Sequence, residues 1–174
     1  MAITPDTKDW TWVLERPCDE CGFNAPDYPR DDFAATIRIN AQQWVDVLAR
    51  NDVRDRRQPD KWSDLEYGCH VRDVFTTMDG RLRRMLNEDD PEFPNWDQDE
   101  TAREEHYELQ EPQVVSGELL DAASAYADRF DTVRDDQWPR PGTRSNGSRF
   151  TVETLGAYSL HDVVHHLWDV SSPI

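Results

Sequence analysis

The sequence predicts an all-α protein, a four-helix bundle with an irregular N-terminal segment and long crossover connections. Three observations carry that expectation. Four stretches repeat their apolar residues at helical spacing. Proline-rich, glycine-rich or acidic segments separate them. Strand-like alternation and internal repeats are not evident. A chain of 174 residues fits one domain, 1–174, large enough for a real core.

In residues 1–30, Pro5, Pro17, Pro26 and Pro29 interrupt any helical pattern, so this Cys-containing segment is expected to be irregular. Trp10, Trp12 and Phe23 suggest that it packs on the bundle, which occupies 31–174. The first helix is expected over Asp31–Arg50, where Phe33, Ile37, Trp44 and Leu48 form one stripe. The second starts on a capping box, Ser63 and Glu66, followed by Tyr67, His70, Val74, Met78, Leu82 and Met85. Asn87–Pro94 ends it, and Asn95–Glu111 is polar and acidic with room for a short helical piece.

The third helix runs from about Pro112 through Val115, Leu119, Ala122, Tyr126 and Phe130. Pro139, Pro141, Gly142 and Gly147 make 136–149 a loop, and Arg140, Arg144 and Arg149 make it the one locally basic stretch. The fourth helix starts near Thr151 with Leu155, Tyr158, His161, His165 and Trp168 on one face. Trp44, Tyr126, Tyr158 and Trp168 are expected in the core. The long connections between the second and third and the third and fourth helices are free to cross over.

Composition excludes several classes of function. A formal net charge of -17 argues against nucleic acid and anionic lipid as partners, because phosphate neutralisation needs clustered Lys and Arg. No apolar run approaches the roughly 18 residues of a membrane span. Met1–Trp12 lacks the basic-then-apolar order of a signal peptide, so a cytoplasmic location is expected. Cys18, Cys21 and Cys69 are too few for a secreted disulfide framework. Cys18 and Cys21 form a C-x-x-C followed by Gly22: half a zinc motif, or a redox dithiol, with Cys69 or a histidine available as further ligands. Two ordinary reduced thiols are the plainer reading. Cys69 itself diverges by about 100° from His70 on the helix and is expected to be a small packed side chain.

His161 and His165 stand four apart, which puts both imidazoles on one helical face. His70 is a third histidine on a core-facing stripe. His106 falls in the acidic connection, and His166 points about 100° away from His165. Three neutral imidazoles suit zinc, nickel or ferrous iron and leave positions for water or substrate. Asp73, Asp162 and Asp169 lie within a turn and could accept the second ring N–H. Against this stands the bland reading, histidines half-exposed among aspartates, because an H-x-x-x-H pair by itself is a weak signal.

The segments KWSDLEYGCHVRDV (61–74) and LHDVVHHLWDV (160–170) resemble the DinB-like family of four-helix metalloproteins, which includes thiol S-transferases and mycothiol-dependent maleylpyruvate isomerases. In that family a histidine after a W-S-x-x-E helix start joins an H-x-x-x-H pair on the last helix, and His70, His161 and His165 match those places. DWTWVLERPCDECGF (9–23) and RSNGSRFT (144–151) resemble an uncharacterised actinobacterial branch.

The resemblance implies one divalent metal, zinc or nickel first, with iron compatible, and mycothiol as co-substrate. The leading expectation is a metal-dependent thiol S-transferase acting on an electrophilic small molecule. Arg144 and Arg149 are candidate anchors for an anionic group on the substrate, although ordinary surface pairing accounts for them as well. A metal-assisted hydrolase and a non-enzymatic metal or redox sensor are the alternatives. Related bundles often dimerise, so a homodimer stands beside the monomer as an expectation.

Overall fold

The computed structural model describes residues 3–5 and 9–172. Four long helices form the body: α1 (Phe33–Leu48), α2 (Asp64–Asn87), α4 (Pro112–Asp131) and α5 (Val152–Ser171). A short helix, α3 (Gln98–Glu104), lies in the acidic connection. The expected capping box forms at the start of α2. Ser63 N donates to Glu66 Oε2 at 2.8 Å and Glu66 N donates to Ser63 Oγ at 3.3 Å, satisfying two donors that the helix start would otherwise strand. Arg56 then fastens the buried Glu66 carboxylate at 3.0 Å through Nε.

Helices α4 and α5 each pack against both α1 and α2, while α1 and α2 meet only lightly. The ring order is therefore α1–α4–α2–α5. The chain crosses the bundle twice, between α1 and α2 and between α4 and α5. The acidic connection from α2 to α4 joins neighbours instead of crossing. Trp44 and Ile37 of α1, Leu65 and Phe75 of α2, Leu119 and Tyr126 of α4, and Leu155 and Leu160 of α5 fill the interior. Such side chains contribute about 1.5–3 kcal/mol each by leaving water.

Two expectations are corrected. Residues 136–149, expected as a loop, contain most of a small sheet: β2 (Pro141–Arg144) and β3 (Arg149–Thr151) pair antiparallel, and β1 (Glu92–Phe93) adds parallel to β2. The strands are too short for alternation to register in the sequence. Gly147 turns the hairpin at φ +92, and a Cβ on Gly142 would stand 2.6 Å from the Phe93 ring, so glycine is required there for close approach. The sheet tethers the hairpin to the end of α2, where Arg140 donates to the carbonyls of Met85 and Glu88 at 2.6 and 2.7 Å. Trp168, expected in the core, keeps 38% of its surface exposed near the end of α5.

Residues Trp10–Leu14 and Ala25–Asp27 form 3-10 turns that contact α5. No helix among the described residues is long and apolar enough to cross a membrane.

Candidate metal centre

Helix α5 carries the chemistry. Thr151 caps it, accepting from Thr154 N at 3.1 Å, and the helix then runs unbroken to Ser171. At 3.6 residues per turn, positions 161 and 165 share one face, and 162 and 166 share another about 100° round. Each pair meets a different neighbour.

His70 of α2 meets Asp162 and His166, with one donor atom from each lying within 4.8 Å of the others. The His70 ring has no exposed surface, and Trp96 stacks on it at 5.4 Å while Trp62 lies 5.1 Å away. Neither ring nitrogen of His70 has a hydrogen-bond partner, and Asp162 is 3.9 Å from Nε2, too far for one. Burial, opposed by the nearby Asp162, holds the His70 pKa below the ordinary histidine value. His166 is the opposite case. Burial disfavours its charge, but Asp162 at 3.0 Å and Asp169 at 3.1 Å outweigh that and push it up to about 9.

His161 and His165 meet Cys18 and Cys21, again with donor atoms all within 4.8 Å. Cys18 Sγ lies 3.7 Å from His165 Nδ1. His161 Nε2 is buried without a partner, and burial lowers the His161 pKa to about 4. Burial likewise lowers His165 and pushes the Cys21 thiol up to about 11. Trp10 covers both imidazoles, its ring 5.4 Å from His161 and 5.2 Å from His165.

The three histidines expected to act together, His70, His161 and His165, are thus divided between two clusters. Sequence reasoning set aside His166 and gave Asp162 only an outer role. The signal was present, because Asp162 and His166 repeat the four-residue spacing one position later. Of the supporting aspartates, Asp162 and Asp169 reach histidines. Asp73 does not: it accepts from Tyr107 Oη and from Arg72 Nε, the latter at 2.8 Å. Cys69 is buried in the core beside Gln110, away from the other cysteines, and burial pushes its thiol up to about 12.

Both α5 pairs border a cavity of about 750 Å³, walled also by Trp10, Tyr158, Arg81 and Arg144. Arg81 is 7% exposed and burial draws its pKa down to about 10; it donates to the Pro94 carbonyl at 3.1 Å. Arg144 reaches the cavity with its guanidinium 6.0 Å from the Tyr158 ring. Arg149 does not line the cavity and pairs with Asp90 at 3.1 Å. No spacing rule in the sequence would have selected Arg81.

The donor atoms fit a cation. Buried imidazole nitrogens without protein partners are costly unless something accepts them. Two nitrogens and a carboxylate form an open set, and two sulfurs with two nitrogens form a complete one.

A four-helix bundle with imidazole-rich clusters on its last helix, bordering a cavity, has the build of a metalloprotein. The profile of the DinB superfamily matches residues 35–170, and the chain belongs to that superfamily. Its fold is similar to that of YfiT from Bacillus subtilis, described as a probable metal-dependent hydrolase with an unusual four-helix bundle topology. The two share 16% identity over 82% of this chain and 85% of that one, with a TM-score of 0.72. At that identity the likeness establishes the fold. No curated protein sequence matches the chain significantly.

Proposed function

We propose that the protein is a metal-dependent transferase that activates a small thiol, with His70, Asp162 and His166 as the metal ligands. The observation that carries this is the convergence of those three donors from two helices beside the cavity, with both His70 nitrogens lacking any protein partner. A divalent cation held there lowers the proton affinity of a nucleophile beside it, a thiol in this reading and water in the second.

The chain's own residues supply the rest. Trp62 and Trp96 pack around His70 and keep water from its ring. Asp169 holds His166 Nδ1, which orients the ring and leaves Nε2 toward Asp162. Arg81 and Arg144 place positive charge on the cavity wall, suited to an anionic group on the thiol or the electrophile. The family resemblance implies mycothiol as the thiol. The likeness to YfiT favours hydrolysis as a second reading, on that protein's description alone.

Protein loaded with zinc or with nickel, offered mycothiol and a panel of small electrophiles, tests the proposal. Thiol-dependent conjugate or isomer formation that disappears in His166→Ala supports it. Turnover of ester or amide substrates without thiol favours the second reading. Unchanged thiol chemistry in both His166→Ala and His70→Ala overturns the ligand assignment.

A further inference from the structure

We infer that Cys18, Cys21, His161 and His165 form a second metal site, a closed Cys2His2 centre for zinc, which fastens the N-terminal segment to α5. It stands apart from the thiol-transfer reading, because its four donors complete a tetrahedron and leave no position for substrate.

The geometry is that of such a site before the ion is placed. In a tetrahedral zinc centre, Zn–S of about 2.3 Å and Zn–N of about 2.0 Å put sulfur and nitrogen about 3.5 Å apart. Cys18 Sγ and His165 Nδ1 are 3.7 Å apart, and all four donor atoms fall within 4.8 Å of one another. His161 Nε2 is buried with no hydrogen-bond partner. The cysteine side has the turn that chelation needs. Gly22 N donates to Cys18 O and Cys18 N donates to Phe23 O, both at 2.9 Å. Gly22 follows at φ +75, a conformation glycine adopts freely. These bonds fold 18–23 into a knuckle that presents both thiols to α5. On the histidine side, the outward Nε2 of His165 faces Glu20 at 3.4 Å and Asp169 at 3.9 Å, the carboxylate partners that orient a ligating imidazole.

The alternatives fit less well. A Cys18–Cys21 disulfide would leave the His161 nitrogen stranded. Two independent thiols would leave four donors crowded together, with His161 Nε2 still unpartnered and only a long S···N contact of 3.7 Å reaching His165. A soft-donor set of two sulfurs and two imidazoles selects zinc over magnesium or calcium.

Among its described residues the segment it would hold has no α-helix or strand of its own, only short turns and a few buried apolar side chains. Residues 10–14 and 25–27 are short 3-10 turns, and Val13, Cys18, Phe23 and Ala25 are its buried apolar residues among those described. Metal binding then supplies folding energy for this segment, as in small metal-stapled domains. Because Trp10 and Glu20 belong to it and line the cavity, the site also fixes one wall of the cavity.

Zinc X-ray absorption on the full-length protein as purified reads the ligands directly. A shell of sulfur scatterers at about 2.3 Å is expected, and its absence with zinc bound overturns the inference. Metal counting separates this centre from the other. Wild type should hold two ions, Cys18→Ser with Cys21→Ser one, and His166→Ala one. The wild type and His166→Ala should show thiolate-to-metal charge-transfer absorption when loaded with cobalt, and the double serine variant should not. Equal metal content in wild type and the serine variant, or a Cys18–Cys21 disulfide found by thiol counting on freshly purified protein, also overturns it. A serine variant that fails to fold leaves the absorption spectrum of the wild type as the deciding measurement.

Discussion

Replacing His70 by leucine should make the metal-free protein more stable and the zinc-loaded protein less stable than wild type. In the metal-free state the neutral His70 ring carries one donor and one acceptor, both buried and unpartnered. Each unsatisfied group costs about 1–3 kcal/mol, so about 2 kcal/mol is a low estimate for the pair. Leucine removes that cost but forfeits the stacking on Trp96, worth about 0.5–1.5 kcal/mol. The net gain is about 1 kcal/mol, or about 2–4 °C in Tm for a chain of this size. With zinc at about one hundred times its Kd, wild type gains about 2.7 kcal/mol at this site and the variant nothing. The order should therefore reverse, with wild type ahead by nearly 2 kcal/mol. Any contribution of the cysteine-containing centre is common to both proteins and cancels. Thermal melts by circular dichroism, in chelator and in zinc, read both signs. A leucine variant that keeps its lead in zinc would show that His70 is not a ligand. One that trails in chelator would show that the unpartnered nitrogens do not carry the cost assigned to them.

Arg144→Gln should raise KM for an anionic substrate roughly tenfold or more, the loss of one charge-assisted hydrogen bond, while Arg149→Gln leaves steady-state kinetics alone. Gly156→Ala should destabilise by about 3 kcal/mol, because its Cβ would lie 2.4 Å from the Phe33 ring, itself packed edge-on against Phe130 and Trp138. Gly117→Ala, with nothing within 4 Å on an exposed turn of α4, should instead stabilise by about 0.5–1 kcal/mol in the same denaturant titration. Asp73→Asn should lower stability by about 1–2 kcal/mol through its bonds to Tyr107 and Arg72, yet leave metal content unchanged by elemental analysis.

The helices were legible because each announces itself locally. The Ser63–Glu66 box, Pro112 and Thr151 mark starts, and the apolar stripes mark inward faces. The short sheet was not, since strands of two to four residues carry no alternation and their pairing is set by the distant end of α2. The candidate site was legible as a composition and not as a partition. Periodicity placed His161 with His165, but Asp162 with His166 has the same period, and only the positions of α2 and of the 18–23 turn decide which pair meets which partner. Arg81 was invisible for a related reason. It lies on the stripe side of α2, where a long side chain reads as ordinary amphipathic packing until the cavity behind it is seen.

The two clusters are separate in their donors but share one outer group. Asp169 Oδ2 is 3.1 Å from His166 Nδ1 and 3.9 Å from His165 Nε2, so a single carboxylate stands behind one imidazole of each centre. Such partners fix the ring and raise its basicity, and losing one typically weakens a metal site 10–100-fold. Asp169→Ala should therefore weaken zinc at both centres, and more strongly at the His166 centre. There the contact is a hydrogen bond, whereas His165 also faces Glu20 at 3.4 Å. Competition titrations against a chromophoric chelator, run in the wild type, in His166→Ala and in the double serine variant, give each affinity separately. A fall at the His166 centre alone would show that Glu20 suffices for His165. A fall at neither would mean that Asp169 only neutralises the charge of His166 in the metal-free protein and lets go once that proton is displaced.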